Sequence, residues 1–448
     1  MELSVKRYPA YLGGVRQAYP HIEAGKAFNS RSVVVGNLIF LSMVSARSMD
    51  SGKVEAKTLK EQVVAALDNI RVAMEEAKSS MNNIIKDTVL VRKREEVAPV
   101  RAAIFEYYQK YAPVLVEEPP ATSFVVTLLE DPDYMVQIDA LGVMTRGCPG
   151  WEIRMIPAHY AGIKQTFPNV KPGEPMFSKV ATVGNLIFCH GENARSLATG
   201  KIETDSFEEQ MQIVMDKVRM NLDQAGGSMN NLIKTSYFFK DMDAHYTAMR
   251  KLESLYFQKY TASLAEDPPA STVCMADLED PKCLVEVDAI GVISGDKPAW
   301  ELKKYPAYYG GIKYAYPHVP PGHPMFSRSA VVGNLIFCSG ATGLALDSFK
   351  QTSNAMEDQM QVTMNKIKMY MDQAGSGLEN IVKMNIFLKD IHDLPAIRKA
   401  ELDYYILNAP ALVGEPPATA IIKSRLHKPE TLMEIEAIGI IPSSPHHI

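Results

Sequence analysis

Two pairs of carboxylates sit two residues apart in otherwise apolar runs: Glu286 with Asp288 in Val285–Ile290, and Glu434 with Glu436 in Met433–Ile438. Alternate residues of a strand point to one face. Each pair could therefore divide acid and base work between two carboxyls of different pKa, or could form an ion pair at the sheet edge. A third run of the same form carries Gln137 and Asp139, and an amide cannot take up a proton. His190 and Glu192 stand where a later, similar segment has Ser339 and Ala341. A histidine there could carry a proton near neutral pH or be a packed structural residue. Cys189 and Cys338 precede these segments with no basic neighbour in view, which favours small buried apolar roles. The five cysteines are odd in number and form no C-x-x-C. Reduced thiols in the cytoplasm are expected, with no zinc site and no cofactor.

These residues recur because the chain is one unit of about 148 residues written three times. Gly36-Asn37-Leu38-Ile39-Phe40 returns at Gly184 and Gly333, and Pro119-Pro120-Ala121 returns at Pro268 and Pro416. A repeat that long is a whole domain rather than a solenoid unit. Repeat 1 spans residues 1–150, repeat 2 151–299 and repeat 3 300–448. The joints, 146–150 and 294–298, are short and punctuated by Gly and Pro, so neighbouring domains are held in contact. A net charge of −5 without like-charge runs argues against nucleic acid. No apolar stretch approaches 18 residues, which argues against a membrane span, and the N-terminus lacks a basic-then-apolar leader.

Each repeat opens with an aromatic, proline-rich segment, such as Tyr8–Gly14 and Tyr305–Gly311, expected to be an ordered loop or lid; it carries His21 and His318, with Asn169 in the second copy. Two β-rich runs flanking Gly-Asn then predict a hairpin. Met211, Val214, Met215, Val218 and Leu222 lie on one helical stripe, ended by Gly226-Gly227. A strand over 232–239, a helix over 245–259 and strands over 271–277 and 284–293 follow. The order β-β-α-β-α-β-β is α+β, two helices on one face of a sheet. The bare face would be covered if three such sheets packed around a threefold axis, helices outward.

This order, with Gly184–Gly191, Gln224–Lys234, Phe239–Asp243, Pro269-Ala270 and Val285–Ile290, resembles the Rid (YjgF/UK114) family of small, often trimeric proteins that include imine and enamine deaminases. The resemblance implies a chorismate-mutase-like fold, an intramolecular pseudo-trimer, and sites at the three clefts between repeats. The family arginine that pairs with a substrate carboxylate corresponds here to Thr122, Ser271 and Thr419. A pocket-facing asparagine of the second helix corresponds to Arg101, Arg250 and Arg398, so the cation is moved rather than lost, or else these are surface residues of an amphipathic helix. The glutamate that positions water corresponds to Glu286 and Glu434, and to Gln137 in repeat 1. The pocket tyrosine corresponds to Asn29, Phe177 and Phe326.

Two functions fit. One is hydrolysis of a small C=N or related electrophile, with Glu286 or Glu434 as base and Thr122, Ser271 or Thr419 holding substrate. The other is binding of a small metabolite without turnover, anchored by Arg101, Arg250 or Arg398. Further self-association of the pseudo-trimer is a possibility that the sequence leaves open.

Overall fold

The computed structural model describes residues 4–10, 29–158, 177–196, 198–293, 300–307, 324–346, 350–351 and 353–442. The positions of His21, Asn169 and His318 lie outside them, as does most of the aromatic opening segment.

In repeat 2 the hairpin Ser178–Val183 and Leu186–Cys189 turns at Gly184, whose φ of 57° suits a residue without Cβ. Helix Phe207–Ala225 starts at Ser206, whose side chain accepts the Glu209 N–H, and stops at Gly226 in the left-handed region (φ 89°). Strand Leu232–Phe239 follows, then helix Met242–Tyr260, three residues longer at its start than its apolar stripe suggests because Asp241 caps it. Strands Ala270–Met275 and Val285–Val292 complete the sheet. Leu232–Phe239 lies between them, parallel to the first and antiparallel to the second. Repeats 1 and 3 follow the same plan.

The opening segment is a partial correction. Its first residues are not loop but an edge strand: Val5–Pro9, Ile153–Pro157 and Leu302–Pro306 each pair antiparallel with the first hairpin strand of their repeat. Pro ends each of these strands, where a missing N–H is tolerated.

Strand residues alternate between two cores. Ile187, Cys189, Tyr237 and Phe239 pack under the helices with Met211, Val214, Met215, Val218 and Leu222. Leu186 and Phe188 point the other way, into a core shared with Leu38 and Phe40 of repeat 1 and Leu335 and Phe337 of repeat 3. The second face of each sheet is thus buried against the other two repeats, with the helices outside.

Contacts between repeats close a cycle. Ser178 N–H donates to Pro120 O (3.0 Å), Ser327 N–H to Pro269 O (2.9 Å) and Ser30 N–H to Pro417 O (3.1 Å). Three lysines, Lys234 and Lys383 buried and Lys86 half-buried, repeat the pattern. Lys86 Nζ bonds Cys189 O (2.9 Å) and Asp288 (3.2 Å); Lys234 Nζ bonds Cys338 O (3.1 Å) and Glu436 (2.8 Å); Lys383 Nζ bonds Leu41 O (2.7 Å) and Asp139. All six charged groups line an axial cavity of about 130 Å³. Asp288 and Glu436 are therefore partners of a neighbouring repeat's lysine, as the ion-pair reading has it, although on central strands rather than at a sheet edge. No described helix is long and apolar enough to cross a membrane.

Candidate functional sites between the repeats

Each cleft is built from the second helix and parallel strand of one repeat and the hairpin and last strand of the next. In repeats 2 and 3 the last strand brings its glutamate against a glycine. A Cβ on Gly191 would stand 2.1 Å from Glu286 Oε1, and one on Gly340 would stand 1.8 Å from Glu434 Oε1. Repeat 1 has Met43 at that place. Its Gln137 instead accepts the Glu130 N–H (3.1 Å). The glycine and the glutamate are one structural unit, and repeat 1 lacks both halves.

In the cleft between repeats 1 and 2, Arg101 makes a two-pronged bond to Glu279 (2.8 and 2.9 Å) and lies over the Phe124 ring (4.3 Å). Burial raises the Glu286 carboxyl well above its ordinary value, and Asp288 and Glu279 add to the rise. Thr122 donates to Pro120 O of its own repeat (3.3 Å). His190 packs on Phe177 (ring centres 4.5 Å apart), with Nε2 2.8 Å from Glu192 Oε1. Burial alone would raise Glu192; His190 and Lys217 outweigh it and hold that carboxyl at about 2.

In the cleft between repeats 2 and 3, Arg250, Ser271, Phe326 and Glu434 meet around a cavity of about 80 Å³. Arg250 Nη1 donates to Glu253 Oε2 (3.0 Å) and Ser271 Oγ (3.0 Å), and Tyr237 donates to Glu253 Oε1 (2.6 Å). Burial, with Glu436 next, pushes the Glu434 carboxyl up to about 7. His427 stacks on Tyr246 (3.8 Å), and burial with Lys428 and Arg250 lowers its imidazole to about 4, so it is neutral.

In the cleft between repeats 3 and 1, Arg398, Thr419, Asn29 and Gln137 line a cavity of about 300 Å³ together with Glu130 and Tyr134. Arg398 Nη1 donates to Glu401 (2.7 Å). Burial raises the Glu130 carboxyl, opposed first by Arg398.

All three arginines therefore reach a cleft. What differs is the acid three residues on. Glu253 and Glu401 hold Arg250 and Arg398 within their own helices, whereas Ile104 occupies that place in repeat 1 and Arg101 reaches across to Glu279. Facing the arginines from the next repeat are Glu279, His427 and Glu130 in turn. None of these was singled out in the sequence, yet each occupies one aligned position before a proline. Cys189 and Cys338 are buried, and burial raises both thiols, Cys338 to about 12. Among the described residues no cluster of three His, Cys, Asp or Glu side chains could hold a metal.

The family model described as endoribonuclease L-PSP matches residues 20–144, 171–293 and 319–441. The chain belongs to this family, which is the Rid or YjgF/UK114 family, in three tandem copies. A RutC family protein of Pyrococcus abyssi is 29% identical over 114 residues, 25% of this chain and 84% of the relative. A 2-iminobutanoate/2-iminopropanoate deaminase of Dermatophagoides farinae is 26% identical over 120 residues, 26% of this chain and 85% of the relative. Among solved structures, a chorismatase aligns over 80% of this chain and 93% of its own with a TM-score of 0.51 at 11% identity, a likeness of fold. The Rid family assignment and the α+β chorismate-mutase-like fold of all three repeats therefore hold.

Proposed function

We propose that the cleft between repeats 2 and 3 hydrolyses a small imine or enamine, releasing ammonia and a carbonyl compound. The observation that carries this reading is Glu434, a buried carboxyl held at about 7 and opening on a cavity shared with Arg250 and Ser271. A group of that pKa is divided between acid and base at neutral pH. It can protonate the nitrogen that leaves and take a proton from the water that adds. The space, by volume, holds roughly five to eight water-sized groups, enough for a three- or four-carbon substrate. The deaminase named among the relatives acts on substrates of that size. In the cleft between repeats 1 and 2 the Arg101–Glu279 pair joins the two walls directly, which favours a structural role there. The test is ammonia release from 2-iminobutanoate formed in situ. Acceleration over the solution rate is expected; none from the intact chain would sink the reading.

A second reading applies to the cleft between repeats 3 and 1. Its cavity of about 300 Å³ faces an amide, Gln137, in place of the base, which suits binding without turnover. Calorimetric titration with 2-oxobutanoate should require two classes of site in the unaltered protein, and Arg398→Ala should remove one. An isotherm unchanged by that substitution would rule the second site out.

A further inference from the structure

The cleft between repeats 2 and 3 contains an amine that the reading above does not use. Lys366, 8% exposed, lies on the first helix of repeat 3, Met356–Gln373, and lines the same cavity as Glu434, Arg250 and Ser271. Its Nζ donates to Thr342 O (2.9 Å). Thr342 is paired in register with Glu434 on the neighbouring strand. The backbone carbonyl that fixes the amine and the backbone that carries the carboxyl are thus adjacent, and amine and carboxyl open on one small space.

The other repeats use the aligned position differently. Asn69 stands there in repeat 1, its Nδ2 bonding the matching carbonyl, Ser45 O (2.9 Å). Lys217 stands there in repeat 2, bonded to Asn193 O (2.8 Å) and 3.4 Å from Glu192. The residue matching Glu192 in repeat 3 is Ala341. Lys217 thus faces a buried carboxylate of its own repeat, whereas Lys366 has no carboxylate at that place and lines the cavity.

We propose that Lys366 Nζ is a nucleophile that forms a Schiff base with the carbonyl or imine carbon of a small substrate held beside Glu434, Arg250 and Ser271. The proposal rests on the reading of this cleft as the hydrolytic site. The step balances without any further reagent. The lone pair of neutral Nζ adds to the C=N carbon as the π pair moves to the imine nitrogen, which takes the proton of Glu434. Nζ then passes a proton to that nitrogen as the original C–N bond breaks and ammonia departs, leaving the carbon doubly bonded to a protonated Nζ. Water adds to that carbon, and the Glu434 carboxylate receives its proton. The resulting carbinolamine releases the carbonyl compound and frees Nζ. The sum is imine plus water to carbonyl compound plus ammonia. Burial lowers the Lys366 amine to about 8, with Glu434 opposing, which supplies a useful fraction of the neutral form near neutral pH.

The test is reductive trapping on the intact chain. It is incubated with 2-oxobutanoate and borohydride, digested and mapped by mass spectrometry. A reduced adduct on Lys366 is expected, absent without 2-oxobutanoate and absent from Lys366→Arg. Adducts spread over exposed lysines such as Lys368 and Lys399, with none on Lys366, would overturn the proposal. So would full imine turnover by Lys366→Met, and if Glu434→Gln were inactive at the same time the hydrolytic reading would survive. An adduct on Lys366 in a protein that releases no ammonia from imines would uphold the nucleophile and remove the deaminase.

Discussion

Glu434→Gln is expected to lower imine hydrolysis by about 10²–10⁴-fold, the usual contribution of a positioned acid–base group. The amide preserves shape and still fits above Gly340, so the loss reports proton transfer. Where water adds directly to the imine, the wild-type rate should fall as pH drops through about 7, because the carboxylate that takes the water proton is being lost; on the Lys366 route Glu434 enters protonated and the same fall comes from protonation of the amine. The stability change has the opposite sign. A carboxyl whose native pKa is raised favours folding most below its unfolded value, and that contribution is lost as pH rises through about 7. Above pH 7 the variant should therefore unfold at a higher denaturant midpoint than wild type while being the worse catalyst. A variant that keeps wild-type turnover across this range removes Glu434 from the chemistry.

Arg101→Ala is expected to cost about 3 kcal/mol of stability, measured by denaturant unfolding, because it leaves the half-buried Glu279 without its two-pronged partner. Burial would raise Glu279, but Arg101 outweighs it and the native carboxyl is depressed. Its contribution is complete above the ordinary carboxylate range and disappears as pH falls below it through the depressed native value. Arg101→Met with Glu279→Met together should recover most of the loss, since replacing both charges by apolar groups removes the desolvation cost as well. If the single and double variants prove equally unstable, the pair is not what joins repeats 1 and 2 at this cleft.

The helices were legible because their apolar stripes repeat with helical spacing in every copy, and Met211, Val214, Met215, Val218 and Leu222 are all buried. The edge strand was missed because its five residues adjoin Pro and aromatic residues that suggest a loop. Its alternation shows only when Val5-Lys6-Arg7-Tyr8 is set beside Leu302-Lys303-Lys304-Tyr305. The arginines and glutamates of the clefts were placed from family resemblance. Their partners depend on which repeat faces which, and that is a fact of assembly. Two signals were nevertheless available. A lysine recurs inside the apolar strands at Lys86, Lys234 and Lys383, which is costly unless paired, and Asn69, Lys217 and Lys366 change chemistry at one helical position.

The cycle closes between the first and last repeats: Lys383 reaches Leu41 O across 342 residues, and Ser30 reaches Pro416 O across 386. During synthesis Val33, Val35, Leu38 and Phe40, which end in a core shared by all three repeats, are only partly covered until the third repeat emerges. The third repeat of the same chain and that of another chain present the same complementary face. Which one arrives first depends on the local concentration imposed by the two short joints against that of free chains in solution. At high chain concentration the physics that seals the ring favours open, end-to-end assemblies in which the third repeat of one molecule completes the first repeat of the next.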